Sequence, residues 1–158
     1  MLAPGRDQIT GPMRPNDDCL VFTATFRWTT ALLEGDAEGL AEQRILEERP
    51  GEAMLLKVAH HGSASGTSAA RLATIHPRYA VISVGARNVY GHPRFEVLQR
   101  LQQAGVRTYR TDKEGAVSFY LDGKSATADV ALLQLNQSLS PRGRRSRRRG
   151  AAIFDSPR

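Results

Sequence analysis

Apolar residues along this chain come in short runs, and their spacing alternates between a strand-like and a helix-like period. CLVFTATFRW, Cys19 to Trp28, is rich in threonine, phenylalanine and valine, which suit a pleated surface. TTALLEGD, Thr29 to Asp36, follows at once and predicts the returning strand of a hairpin. AEGLAEQRILEER, Ala37 to Arg49, predicts a helix with Leu40, Ala41, Ile45 and Leu46 facing the core, stopped by Pro50 and Gly51. AMLLKVA, Ala53 to Ala59, predicts a short buried strand, and TSAARLATI, Thr67 to Ile75, a short helix with Thr67 as its cap. YAVISVG, Tyr79 to Gly85, is a second buried strand. PRFEVLQRLQQAG, Pro93 to Gly105, is the strongest helix pattern. It has proline at its first position, Phe95, Val97, Leu98 and Leu101 on one side, and glycine at its end. VRTYRT and AVSFYLDG predict two last strands around a turn at Asp112 to Gly115. Strands alternating with short helices predict an α/β layer structure with a helix-covered sheet. No internal repeat is present.

Length and charge refine this picture. At 158 residues the chain is one domain at most, and 41% apolar residues suffice for a modest core. No run approaches the roughly 18 consecutive apolar residues of a membrane span. MLAPGRDQITGPMRP lacks an apolar stretch behind a positive end, so residues 1–15 read as a loose leader rather than a signal peptide. The single cysteine, Cys19, excludes an internal disulfide and a thiolate zinc site and reads as a small core residue. The net charge of +6 is uneven: residues 1–140 hold 15 Lys/Arg and 15 Asp/Glu, while PRGRRSRRRG, Pro141 to Gly150, holds six arginines and no acid. The basicity therefore belongs to an arginine-rich tail, expected to be disordered over 125–158 and able to bind phosphates without sequence preference.

Three segments place polar groups just after apolar strands. These are Gly35-Asp36, then His60-His61-Gly62-Ser63, then the loop GARNVYGHP from Gly85 to Pro93. In a layered α/β fold the strand ends on one edge form the usual crevice for a site. An aspartate with histidines suits zinc or manganese, and paired metals activate water against phosphate esters or amides. Each piece also has a plain structural reading, GD as a turn and a lone histidine as surface, and His76 beside Pro77 is read as surface. The HHGS doublet weighs more, because adjacent imidazoles at a strand end have little packing purpose and repel when charged. Gly62 lets the backbone turn there, and Ser63 can hold a ring or a phosphate.

NDDCLVF, LLEGDAEGLAEQRIL, LLKVAHHGSASGTS, HPRYAVISVGARNVYGHPRFEVLQRLQQAG and YRTDKEGAVSF, in that order, resemble the C-terminal metallo-β-lactamase-like domain of ComEC/Rec2 competence proteins, from about Asn16 to Gly123. The resemblance implies an αββα sandwich with a two-metal hydrolase site. It implies a domain that follows a membrane channel for single-stranded DNA, is tied to the cytoplasmic membrane, and degrades the DNA strand not taken in. Asp36 then matches the metal-bridging aspartate and His61 a further metal ligand. His60 is the alternative ligand or a phosphate contact. His92 stands at the cleft rim as a proton-transfer group, with Ser63, Asn88 and Tyr90 on the substrate side.

The H-x-H-x-D-H motif of that superfamily is absent, and no histidine precedes His60. The expected fold is thus the second half of the sandwich over 16–124, a mixed sheet with covering helices and an incomplete zinc or manganese site. The inner sheet face, left open, predicts a partner half or self-association. Three functions stay open: a metal-dependent nuclease part, inactive alone; a non-catalytic accessory chain that binds a partner half or DNA; or another phosphodiesterase of the superfamily.

Overall fold

A computed structural model describes residues 16, 19–49 and 51–130. The leader expected over 1–15 and the arginine run of 141–150 lie outside the described residues. The chain forms strands β1 (Phe22–Phe26) and β2 (Thr29–Leu33), helix α1 (Gly39–Glu47), β3 (Leu55–Lys57), α2 (Ala69–Ile75), β4 (Tyr79–Ile82), α3 (Phe95–Gln103), β5 (Arg107–Arg110), the single turn α4 (Thr111–Glu114), β6 (Ser118–Leu121) and β7 (Ala126–Asp129). Strands β1 to β5 make one mixed sheet in chain order. The β1–β2 hairpin is antiparallel, and β2, β3, β4 and β5 run parallel. The α/β class expected from the alternating pattern is what the structure has.

Each parallel step is bridged by a helix, and crossovers of one hand place all three helices on the same face. Leu32, Leu56, Ala80 and Ile82 of the sheet share one buried cluster with Ala41 and Ile45 of α1, Leu72 and Ile75 of α2, and Val97 and Leu101 of α3. Cys19 packs against that cluster, as expected of a small apolar residue. The opposite sheet face carries Ala31, Leu33, Leu55, Tyr79, Val81 and Tyr109 by register. Over its β4–β5 side lies the β6–β7 hairpin, a separate two-stranded sheet, with Phe119 5.6 Å from Tyr79 and 5.4 Å from Tyr109. Toward β1 the face opens: Phe22 is 39% and Phe26 53% exposed. The face is therefore half covered, not wholly open as expected.

Several local expectations need correction. Ser68, not Thr67, caps α2, its hydroxyl accepting from the Arg71 N–H at 3.1 Å. Thr67 turns inward instead, where its hydroxyl accepts from the Ala59 N–H and donates to Glu34, both at 3.1 Å. Helix α3 begins at Phe95 with Arg94 as its cap, so Pro93 stands before the helix and Phe95 is 73% exposed rather than in the core. Leu40, 52% exposed, likewise lies off the buried stripe of α1, and Glu42 takes a buried place to accept the Ser68 N–H at 2.7 Å. Strand β7 falls where the tail was expected to start, and its pairing with β6 extends the fold past residue 124. Among the described residues no helix is long and apolar enough to cross a membrane.

Candidate functional site

The carboxyl ends of β2, β3 and β4 lie side by side, and each is followed by one of the three polar segments. Hydrogen bonds lock these loops together. The His60 N–H donates to the Gly35 carbonyl at 2.9 Å, and the Arg94 N–H to the Gly62 carbonyl at 2.9 Å. His60, His61 and Gly62 all have positive φ, 41°, 54° and 86°. Two consecutive non-glycine residues in the left-handed region store strain of order 1–3 kcal/mol each, a cost usually tolerated at functional sites. At Gly62 no side chain fits, since a Cβ would stand 2.5 Å from that of Pro93.

This left-handed run sends the two imidazoles apart. His61 Nδ1 lies 2.6 Å from the Ser83 carbonyl oxygen. A carbonyl only accepts, so Nδ1 carries a proton; in the neutral tautomer this fixes, Nε2 holds the lone pair, the arrangement typical of a metal-binding histidine. That Nε2 is 3.7 Å from Asp36 Oδ1, and both side chains are about half exposed, at 48% and 42%. His60 turns the other way, its Nδ1 2.8 Å from Glu38 Oε1 and 3.3 Å from Asn16 Nδ2.

Glu38 anchors the second cluster. It accepts from Ser65 Oγ at 2.5 Å and from Asn16 Nδ2 at 3.3 Å. Partial burial acts to raise its pKa, but hydrogen bonds from Ser63, Ser65, His60 and Asn16 outweigh that and hold it down to about 2. Ser63 and Ser65 also bond each other at 2.9 Å. Ser63, expected on the substrate side, is thus engaged within this network.

His92 ends the β4–α3 loop. Its ring stands 5.6 Å from that of His60 and lies nearly parallel to that of Tyr90, 6.1 Å away at 16°. Its Nδ1 is buried with no hydrogen-bond partner among the described residues. Burial, then the neighbouring His60, Arg94 and His61, push its pKa below the ordinary histidine value. Asn88 clamps the same loop, donating from Nδ2 to the His92 carbonyl at 2.8 Å while its Oδ1 accepts the His92 N–H at 2.9 Å. The Asn88 amide, expected on the substrate side, is engaged in shaping the loop. His61, Ser83, Gly85, Tyr90 and His92 line a cavity of about 440 Å3. His76 is apart from all this, closing α2 in a left-handed conformation.

The candidate residues thus form two pairs, Asp36 with His61 and His60 with Glu38, beside a rim of Tyr90 and His92. Glu38 had no assigned role in the sequence, although GDAE places it two residues after Asp36. Asn16 was likewise a motif letter without a task. The Asp36–His61 pair fits part of the shell of a zinc or manganese ion. Among the described residues no three His, Cys, Asp or Glu side chains gather around one point, so the pair does not complete a metal centre.

No protein-family model matches the chain. Over 120 residues, 75% of this chain, it is 34% identical to ComE operon protein 3 of Bacillus subtilis. It is also 35% identical over 92 residues to competence protein ComA of Neisseria gonorrhoeae, and 35% identical over 95 residues to recombination protein 2 of Haemophilus influenzae. The chain is homologous to the ComEC/Rec2 proteins. It covers 75%, 57% and 59% of its own length in these matches but only 16%, 13% and 12% of the three relatives. This ComEC/Rec2 homologue therefore corresponds to a small segment of each relative.

Proposed function

We propose that this chain forms part of a metal-dependent phosphodiesterase site acting on single-stranded DNA during DNA uptake, and that it is inactive until the site is completed by a further half. The observation that carries this reading is the aim of His61: Nδ1 is fixed by the Ser83 carbonyl, and Nε2 faces Asp36 at 3.7 Å on the strand-end edge. Zinc or manganese held there supplies Lewis acidity and a low-pKa water. The other groups are this chain's own. Glu38 fixes the His60 ring, which stands by as alternative ligand or phosphate contact. His92, its ring 5.6 Å from that of His60 at the rim, stands as the proton-transfer group.

The competence names of the relatives support the DNA substrate, and the strand-end cluster supports a half-sandwich of the metallo-β-lactamase type. A place at the cytoplasmic membrane, through a membrane-bound partner, belongs to the same reading. A second reading, a non-catalytic accessory chain, is favoured by the gathering of only two donors among the described residues. Calorimetric titration with zinc and manganese separates the two. Binding that Asp36→Ala and His61→Ala each abolish supports the half-site. Background heats only, or binding indifferent to both substitutions, leaves the accessory role.

A further inference from the structure

The β4–α3 loop has a character that metal ligation does not explain. Between Gly85 and Phe95 it carries two arginines, Arg87 and Arg94, and no acid. Val89 is 88%, Tyr90 70% and Phe95 73% exposed, so three apolar side chains stand in solvent on one short stretch. Folded monomers rarely leave such groups together unless they meet a ligand. Tyr90 is also held in place: its ring lies against His92, nearly parallel at 16°, and His92 is fixed through its backbone by both ends of the Asn88 amide. One face of Tyr90 is thus backed while the side chain as a whole remains mostly open. It borders the cavity of about 440 Å3, within the 300–1,000 Å3 range of ligand pockets, whose other wall includes His61. The Arg94 guanidinium folds back over the same loop, 3.5 Å from where a Cβ on Gly91 would be.

We infer that Tyr90, backed by His92, is a stacking platform for a nucleobase of single-stranded DNA, with Arg87 and Arg94 taking the neighbouring phosphates. An aromatic ring presented flat beside cations is the chemistry of strand binding without sequence preference, since every base has a π-face. Duplex DNA is excluded, because its bases are already stacked on one another. This inference rests on the reading of DNA as the substrate.

The test is anisotropy of a labelled short oligothymidylate against the full chain at low salt, repeated with an abasic oligomer of equal length. Charge attraction, including that of the arginines at 142–149, is common to both oligomers, so their difference isolates the bases. The expected results are weakening by about tenfold or more for Tyr90→Leu, near-parent binding for Tyr90→Phe, and no effect of either substitution on the abasic oligomer. In a Trp28→Phe background, Tyr90→Trp is expected to lose fluorescence on adding the single strand and not the duplex. Equal binding by parent and Tyr90→Leu overturns the platform while leaving DNA as the substrate. Tighter binding of an oligouridylate of equal length, titrated in the same way, moves the platform to RNA and overturns it for DNA. Binding of neither oligomer overturns the platform and the DNA reading together.

Discussion

His60 and His61 are neighbours in sequence with different partners, and the cause is the backbone between them. Two left-handed residues in succession turn one ring to Glu38 and the other to Ser83 and Asp36. The doublet was legible in the sequence, and so were Asp36 and the polar loop from Gly85 to Pro93. The division of labour was not, because it depends on φ values that residue type alone does not encode. Gly62 is the hinge of this arrangement: Gly62→Ala is expected to destabilise by about 2–4 kcal/mol, from the Pro93 overlap and the left-handed backbone. Urea unfolding measures it, and a change within a few tenths of a kcal/mol would mean that the loop relaxes freely. Glu38 brings a pH dependence of known sign. Its carboxyl drops from 4.5 in the unfolded reference to about 2 when folded, so its stabilising contribution is complete above about 4.5 and disappears as pH falls toward 2. Thermal unfolding followed across that window is expected to show a steeper acid loss for the parent than for Glu38→Gln. For His92 the folded pKa is depressed, so its C2 proton is expected to titrate below the ordinary histidine range by NMR.

At the scale of elements, the site is held up by a buried ion pair. Arg71 of α2 and Glu34 at the end of β2 are 0% and 2% exposed, with Arg71 Nε 2.8 Å from Glu34 Oε1. Burial raises the Glu34 pKa against the opposing pull of Arg71. Glu34 sits two residues before Asp36, and Thr67 links it to the Ala59 N–H just ahead of His60. One network therefore fixes two of the three loops. Breaking it from one side, Arg71→Met, is expected to cost about 3–5 kcal/mol, because it leaves a carboxyl buried without its cation. The pair Glu34→Leu with Arg71→Met is expected to recover most of that, and a double variant no more stable than Arg71→Met would refute the account. None of this was legible beforehand. A periodic pattern marks Arg71 as solvent-facing by its type and Thr67 as a cap by its position, and long-range pairing overrides both. Periodicity did reveal the five sheet strands and the three longer helices. It missed β7, since ATAD has too little apolar contrast to mark a strand.

For the whole molecule, the unequal cover of the second sheet face is the main consequence. The β6–β7 hairpin seals the β4–β5 side with the Tyr79, Tyr109 and Phe119 rings, and its turn is tied to the first hairpin by the Trp28 N–H to Gly123 carbonyl bond at 3.1 Å. On the other side Phe22 and Phe26 remain exposed on β1, an edge strand of the sheet, with Trp28 86% exposed beyond them. Exposed edges and aromatic groups invite association. The isolated chain is expected to self-associate or bind a hydrophobic dye, and Phe22→Ser with Phe26→Ser to reduce both. Sedimentation that shows a monomer with no dye binding would mean that the patch is too small to recruit anything.

The order of the strands has a further consequence, in time rather than in space. Because β1 to β5 stand in the sheet as they stand in the chain, every pairing joins a strand to the one synthesised just before it. No strand waits for a distant partner, so loop closure is cheap at each step. The sheet can then grow one edge at a time as the polypeptide leaves the ribosome, and the β6–β7 hairpin follows β5 to cover the β4–β5 side of the face that growth leaves open.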